Sequence, residues 1–169
     1  LPMVVLLMPF GALAIETAYI LWVLLGEISI LISMLILISY YPRRSFVFEI
    51  IALGTVFLFR PTLYIVISGQ ITAELLLVLV LCAHLFDKGK WFSGGLVASI
   101  LVLKPSLGVP FLILLGVWLL FKRQWNALAG VMVGGLLLLG AGILFDPSWV
   151  VDYLSIGGVA FDKYFGYQP

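Results

Sequence analysis

Charged side chains are scarce in this sequence. It has nine basic and eight acidic residues, 10% of a 169-residue chain, whereas about a quarter of the residues of a soluble domain are charged. The net charge of +1 excludes the strong positive field that attracts nucleic acid. A single cysteine, Cys82, excludes an intrachain disulfide, and no residue spacing is typical of a metal site. We therefore expect neither a soluble domain nor a nucleic-acid-binding protein, and no metal or other cofactor.

Apolar residues are abundant instead. They make up 64% of the chain and form long runs between short polar clusters, and a run of about twenty is enough to cross a bilayer as a helix. We predict an all-α fold, a multi-pass transmembrane helical bundle that forms one domain over residues 1–169. The predicted spans, about six, are residues 15–39, 46–68, 71–86, 92–103, 107–121 and 127–145. Small residues at 94–99 and 130–135 predict close packing between helices.

The two ends of the chain are expected to lie outside these spans. Residues 1–14 are too short to cross and contain Pro9, which predicts a re-entrant or interfacial segment. The sequence begins at Leu1 without the charged start and cleavage site of a signal peptide, so we expect the interior of a longer protein. Residues 146–169 are predicted to form an extracytoplasmic tail.

Basic residues predict the orientation in the membrane. Six of the nine lie in three loops, residues 40–46, 87–91 and 121–126. Alternation of the spans places these loops on one side, which the positive-inside rule makes the cytoplasmic side of the cell membrane. An alternative topology joins residues 92–121 into one kinked helix, but it puts Lys88 and Lys122 on opposite sides. We therefore predict a hairpin, with its break at Pro105.

Four ionisable residues fall at one depth inside the predicted bundle. They are Glu27, Arg60, Glu74 and Lys104. Each lies 13 or 14 residues from a cytoplasmic boundary, which is ~20 Å into a layer roughly 30 Å thick. Because each would cost about 2.5 to 3.5 kcal/mol facing lipid, we expect all four to point into the bundle, at one another or at water.

The helix that ends at Lys104 is too short to reach the outer headgroups. Twelve residues rise only ~18 Å, so the Lys104-Pro105 turn is expected to be recessed. A non-helical turn at that depth requires surrounding protein or a water-filled cavity. Two interpretations stay open: the four charges form structural ion pairs, or Lys104 and Arg60 bind an anionic headgroup such as a lipid phosphate. We favour the second, because cations at a recessed break indicate a ligand.

Several short motifs follow one another along the chain. In order, they are the run 61–70 that ends in Gly69-Gln70, an apolar helix, a basic loop, a Gly-rich helix, Leu103-Lys104-Pro105 and Lys122-Arg123-Gln124-Trp125. Their order and spacing resemble glycosyltransferase family 87, from Leu21 and Trp22 to residues 149–154. Members are multi-pass GT-C enzymes that use polyprenyl-phosphate mannose. The family often has Asn at the position that Thr72 occupies here.

The resemblance implies a polyprenyl-phosphate-mannose-dependent mannosyltransferase. It would transfer a hexose, with inversion, from the lipid donor to a glycan or glycolipid acceptor at the extracytoplasmic face. Lys104 and Arg60 would bind the donor phosphate, while Gln70 and Glu74 would contact the substrate. GT-C enzymes carry their catalytic acidic residue, which acts as the base, on the first extracytoplasmic loop. No part of this sequence corresponds to that loop. We therefore expect the base upstream and no catalytic residue in this chain.

Two other functions are compatible with charge inside the membrane. A transporter or lipid flippase also places ionisable residues near the midplane, although such proteins commonly show internal repeats, which this sequence lacks. A noncatalytic membrane scaffold would have its four charges fully paired, with no cavity beside them.

Overall fold

The computed structural model describes residues 9–42, 45–148, 150, 151 and 155. Within these ranges the chain forms helices and short connections without strands, which confirms the all-α prediction. The helices are α1 (Ile15–Ser39), α2 (Phe46–Leu58), α3 (Arg60–Ile67), α4 (Thr72–Asp87), α5 (Trp91–Ala98), a 3₁₀ segment (Ser99–Leu103), α6 (Pro105–Phe121) and α7 (Trp125–Phe145). Most of the predicted segment 1–14 and tail 146–169 lie outside the described residues, as do Arg43 and Arg44.

The predicted span 46–68 is not one helix. It breaks at Phe59, whose backbone is extended, and α2 and α3 are bent by 58° there. Pro61 explains the break, because its nitrogen cannot donate to a carbonyl one turn earlier and its ring would clash with that turn if the helix continued. The single-helix prediction for this stretch was therefore wrong, and Arg60 begins a new helix.

Among the described residues, two helices are long and apolar enough to cross a membrane, α1 and α7. The bent pair α2 and α3 would make a third if it forms one span. Two further apolar stretches of the described chain, Trp91–Leu103 and Pro105–Phe121, are shorter. The structure thus supports two or three spans, and the count of six stays a prediction.

Aromatic contacts gather the three basic loops at one end of the bundle. The Tyr40 hydroxyl lies 2.9 Å from Nδ1 of His84, so α1 and α4 end side by side. The Phe86 ring lies 6.3 Å from the ring of Trp118, which brings the last turn of α6 to the same place. We call this region the basic-loop end; it comprises the described residues of the loops 40–46, 87–91 and 121–126.

The arrangement of α5 and α6 distinguishes the two topologies considered for residues 92–121. Trp91 opens α5 and Trp118 lies in the last turn of α6, yet their ring centroids are 6.1 Å apart. In one kinked helix these rings would lie at opposite ends. The chain therefore turns back between them, which agrees with the hairpin.

Residues of α1 hold the opposite end together. The Tyr19 hydroxyl donates to the Ile67 carbonyl at 2.8 Å, and the Trp22 indole N–H donates to the Gly69 carbonyl at 2.9 Å. Gly69 has a φ of 65°, a left-handed backbone that favours glycine. These contacts fix the turn between α3 and α4 against α1. This turn lies near Lys104, as described below. We therefore call the end of the bundle that contains residues 67–72 and Lys104 the Lys104 end.

Glycines allow α5 and α7 to pack closely. A Cβ atom at Gly95 would overlap the Ala127 carbonyl, and one at Gly130 would overlap the Phe92 carbonyl. Small residues that let helix backbones approach are typical of helix contacts in membranes. The prediction of close packing at these residues is confirmed.

The start of α4 lies between two buried apolar clusters. In one, Leu75 packs with Leu101 of the 3₁₀ segment. In the other, Ala73 packs with Ile30 of α1 and Val66 of α3. The first turn of α4 is therefore held from both sides, which fixes the backbone that carries Thr72, Ala73 and Glu74.

Candidate functional site

The predicted break at Lys104 is present. After α5 the chain tightens into the 3₁₀ segment, and Lys104 leaves helical geometry with φ −122° and ψ 83°. Pro105 then begins α6, a position where proline is favoured because its missing N–H has no partner to lose. Lys104 is consequently the residue between two helical elements.

A close backbone contact holds this turn in place. A Cβ atom at Gly108 would overlap the Leu101 carbonyl, so the first turn of α6 lies directly against the 3₁₀ segment. The Lys104 carbonyl accepts hydrogen bonds from the backbone N–H groups of Leu107 (3.1 Å) and Gly108 (2.8 Å). The Lys104 side chain therefore leaves from a well-supported backbone.

The Lys104 ammonium is partly buried and bound to a hydroxyl. Its Nζ donates to Oγ1 of Thr72 at 2.7 Å. Oγ1 of Thr72 lies 3.4 Å from Oε1 of Gln70, to which its hydroxyl donates. This Lys104–Thr72–Gln70 chain joins the start of α6 to the start of α4, and it brings two of the predicted site residues together.

Apolar cavities flank Thr72. The larger, about 260 Å³, lies between α4, the 3₁₀ segment and α6. The smaller, about 190 Å³, lies between α1, α2, α3 and α4. Thr72 and Leu76 line both, and Thr72 contributes the one hydroxyl group among the side chains that line the larger cavity. Open apolar space therefore adjoins the residue that binds Lys104.

Glu74 points inward, as predicted, but it has no partner within the described part of the chain. Both carboxylate oxygens are buried, and no described residue donates a hydrogen bond to them. A Cβ atom at Gly26 would lie 3.5 Å from its Oε1, so the carboxylate faces α1 where that helix has no side chain. An unsatisfied buried carboxylate is costly, and in membrane segments ionisable residues of this kind commonly mark functional sites.

The expected cluster of four charges is not assembled. Glu27 and Arg60 are exposed rather than enclosed. Among the described residues Lys104 binds Thr72 and not Glu74, so the structure does not show the paired quartet that a structural role would require. Arg60 begins α3, and it is not joined to Lys104. Glu27 and Arg60 thus do not join Glu74 and Lys104 in one cluster, and the expectation that they point at one another or at water stays a prediction.

Thr72 is the site residue that sequence reasoning missed. The sequence showed only that it replaces an Asn that is frequent in the family, which placed any polar contact from this position in doubt. Its location two residues after Gln70, at the first position of a helix, was the available signal. The sequence does not reveal that Thr72 contacts Lys104, because Lys104 follows 32 residues later in the chain.

Comparison with known families decides the class of protein. The model of glycosyltransferase family 87 matches residues 1–165. The chain belongs to this family. No curated protein and no solved structure matches it. Family membership and the apolar helices make it a membrane glycosyltransferase, which takes a sugar from a donor and gives it to an acceptor.

The described residues of this glycosyltransferase hold no group of three or more His, Cys, Asp or Glu side chains that suits a metal ion. The polar groups that the structure does bring together are the ammonium, hydroxyl and amide of the Lys104–Thr72–Gln70 chain. Nitrogen donors of this kind suit the oxygens of an anion.

Proposed function

We propose that this protein transfers a hexose, mannose in the first instance, from a polyprenyl phosphate to a hydroxyl of a glycan or glycolipid. The observation that supports the donor most directly is the Lys104 ammonium, which is partly buried at a helix break and bound to Thr72, a residue that lines an apolar cavity. A cation next to apolar space matches a ligand with an anionic head and a hydrocarbon tail. A water-soluble sugar nucleotide has no such tail.

The position of Lys104 suits the leaving group of the reaction. The acceptor oxygen attacks the anomeric carbon as the bond from that carbon to the phosphate oxygen breaks, and the bonding electrons leave with the lipid phosphate. Lys104 stabilises the negative charge that develops there, because a fixed cation is most effective where little water competes. A carboxylate takes the proton of the acceptor hydroxyl.

The remaining predicted site residues have different support. Gln70 is linked to Lys104 through Thr72, so its amide is placed to bind a phosphate or sugar oxygen. The free carboxylate oxygens of Glu74 are acceptors for sugar hydroxyls. Arg60 is exposed at the start of α3, where it serves as a second cation for a phosphate that approaches from outside the described bundle.

The proposed orientation places the reaction at the extracytoplasmic face of the cell membrane. The exposed Lys88, Lys90 and Lys122 lie together at the basic-loop end, which we assign to the cytoplasm. The Lys104 end then faces outward. A single cysteine introduced at Ser68 would react with a membrane-impermeant thiol reagent from outside intact cells, and one introduced at Gly89 would not.

The donor is tested with the full-length protein in lipid nanodiscs. Labelled polyprenyl-phosphate mannose, polyprenyl-phosphate glucose and GDP-mannose are supplied in parallel with candidate glycan and glycolipid acceptors. We expect transfer from the polyprenyl-phosphate mannose alone. Transfer from GDP-mannose would contradict a lipid donor. Movement of the lipid across proteoliposomes without transfer would support a flippase instead.

A further inference from the structure

We propose that Thr72 is a positioning residue. It holds the Lys104 ammonium beside the larger cavity and orients the Gln70 amide, so that both ends of the Lys104–Thr72–Gln70 chain direct N–H groups at one anion. This inference rests on the proposed function, in which that anion is the phosphate of the lipid donor.

The direction of the hydrogen bonds is the first step. An ammonium can only donate, so Oγ1 of Thr72 must accept from Lys104. The hydroxyl proton is then left to donate, and Oε1 of Gln70 accepts it at 3.4 Å. With its oxygen committed to Thr72, the Gln70 amide presents its NH₂ group elsewhere. The chain thus ends in N–H donors on both sides.

Such a chain selects the charge of its ligand. Lys104 has two further N–H bonds after the one to Thr72, and the Gln70 amide has two. A phosphate carries only acceptor oxygens at neutral pH and binds best to charged or oriented N–H donors. The starts of α4 and α6 lie at the same place, and helix N-termini add positive potential. The arrangement therefore favours an anion over a cation or a neutral hydroxyl.

The side chain of Thr72 has two faces with separate roles. The Thr72 hydroxyl is bound to Lys104, and Thr72 also lines both apolar cavities. Branching at Cβ restricts χ1, so threonine holds its hydroxyl more firmly than serine does. Valine keeps the branched shape and loses the hydroxyl. The two substitutions therefore separate hydrogen bonding from packing.

Removal of the Thr72 hydroxyl should weaken anion binding through its effect on the Lys104 ammonium. Thr72 is the one hydrogen-bond partner that the described part of the chain gives to the Lys104 ammonium. Without it, the ammonium is free to adopt several side-chain conformations before the anion arrives. Hydrogen bonds to charged groups are strong enough that their loss weakens binding about 10- to 100-fold.

The test measures binding apart from sugar transfer. Undecaprenyl phosphate is titrated into full-length protein in nanodiscs for the wild type, Thr72→Val, Thr72→Ser, Lys104→Met and the double variant Thr72→Val/Lys104→Met. We expect Thr72→Val to raise the Kd at least tenfold and Thr72→Ser to restore most of the affinity. The double variant should lose less affinity than the sum of the two single losses, because the part of the Thr72 effect that acts through Lys104 is already absent in Lys104→Met.

Each other outcome decides against the proposal. Fully additive losses in the double variant would show that the Thr72 hydroxyl acts independently of Lys104 and does not position it. Wild-type affinity in Thr72→Val, combined with a loss in Lys104→Met, would remove the role of Thr72 and leave the proposed donor intact. No binding by the wild type would overturn the proposed donor and this inference together. If Thr72→Val fails to fold, Thr72→Ala replaces it, with the melting temperature of each variant as the folding control.

Discussion

The two ends of the bundle treat their polar groups differently. At the basic-loop end, Lys88 and Lys122 are exposed, and the aromatic rings pack on one another. At the Lys104 end, one ammonium is partly buried, held by one hydroxyl and set beside a cavity. Exposed cations are stabilised by water wherever they lie, so their positions carry little information about chemistry. A recessed cation must be supported by the fold, and that support points to a ligand.

The difference extends to the acidic residues. Glu16 is exposed in the first turn of α1, where a carboxylate is favoured by the helix dipole. Glu74 occupies the first turn of α4, but its carboxylate is buried against α1 without a hydrogen-bond partner. Two carboxylates in equivalent helical positions thus have opposite surroundings. Glu74, the carboxylate without a hydrogen-bond partner among the described residues, lies near the candidate site. A residue that serves a reaction is expected to be kept there although it lowers the stability of the fold.

The most decisive test of this comparison replaces one lysine at each end of the bundle by methionine. Lys104→Met should lower the rate of sugar transfer at saturating donor by about 10²- to 10³-fold, the effect of removing one group that stabilises developing negative charge. Lys122→Met is the matched control and should stay within about twofold of the wild type, because its ammonium is exposed. Initial rates with labelled donor measure both. Equal losses in the two variants would show that total positive charge, not position, matters.

A second test concerns the helix pair that connects the ends. Gly130→Ala places a Cβ atom on the Phe92 carbonyl and should lower the free energy of unfolding by about 1 to 3 kcal/mol. Gly135→Ala, on the same helix with nothing within 4 Å, should change it by less than about 0.5 kcal/mol. Unfolding in mild detergent measures both. If Gly135→Ala were as destabilising, α7 would have a further partner at Gly135, because alanine itself favours a helix more than glycine does.

The Lys104 end shows how far sequence reasoning could go. The break at Lys104-Pro105 followed from proline chemistry and from the apolar pattern on either side of it, both of which are local. The inward position of Glu74 followed from the cost of charge in lipid. Neither argument could supply Thr72, because its contact with Lys104 joins residues that are distant in sequence. Pairing depends on how helices rotate against one another, and apolar patterns in membrane segments give little guidance on rotation.

The same limit explains the errors. Counting residues placed Glu27, Arg60, Glu74 and Lys104 at one depth, but depth does not determine which face of a helix a residue occupies. Glu27 is exposed although the adjacent Gly26 packs against α4. Hydrophobic length likewise predicted a single helix over 46–68, where Pro61 outweighs the apolar run. Close packing of α5 and α7 was predictable, because glycine has few other uses inside a helix.

A third test asks whether Glu74 is retained at a cost. Glu74→Gln removes a buried charge and should raise the free energy of unfolding by about 1 kcal/mol while lowering the rate of transfer. Glu16→Gln, in the equivalent turn of α1, should leave the rate unchanged. Thermal unfolding and initial rates on the same preparations separate the two effects. A loss of stability in Glu74→Gln would mean that the carboxylate has a stabilising partner.

The smallest effect is expected at the basic-loop end. Tyr40→Phe removes the hydroxyl that contacts His84 and should lower the melting temperature slightly without changing the rate of transfer. Desolvation, and then the nearby Asp87 carboxylate, raise the pKa of the Tyr40 phenol from 10.0. The neutral phenol is therefore favoured in the folded state, so its contribution to stability persists below the ordinary pKa and is lost as the pH rises through the raised value. The difference in melting temperature between wild type and Tyr40→Phe should stay constant from about pH 8 to pH 9.5 and shrink above that range. A fall in transfer comparable to that of Lys104→Met would mean that the basic-loop end takes part in catalysis, against the division between the two ends.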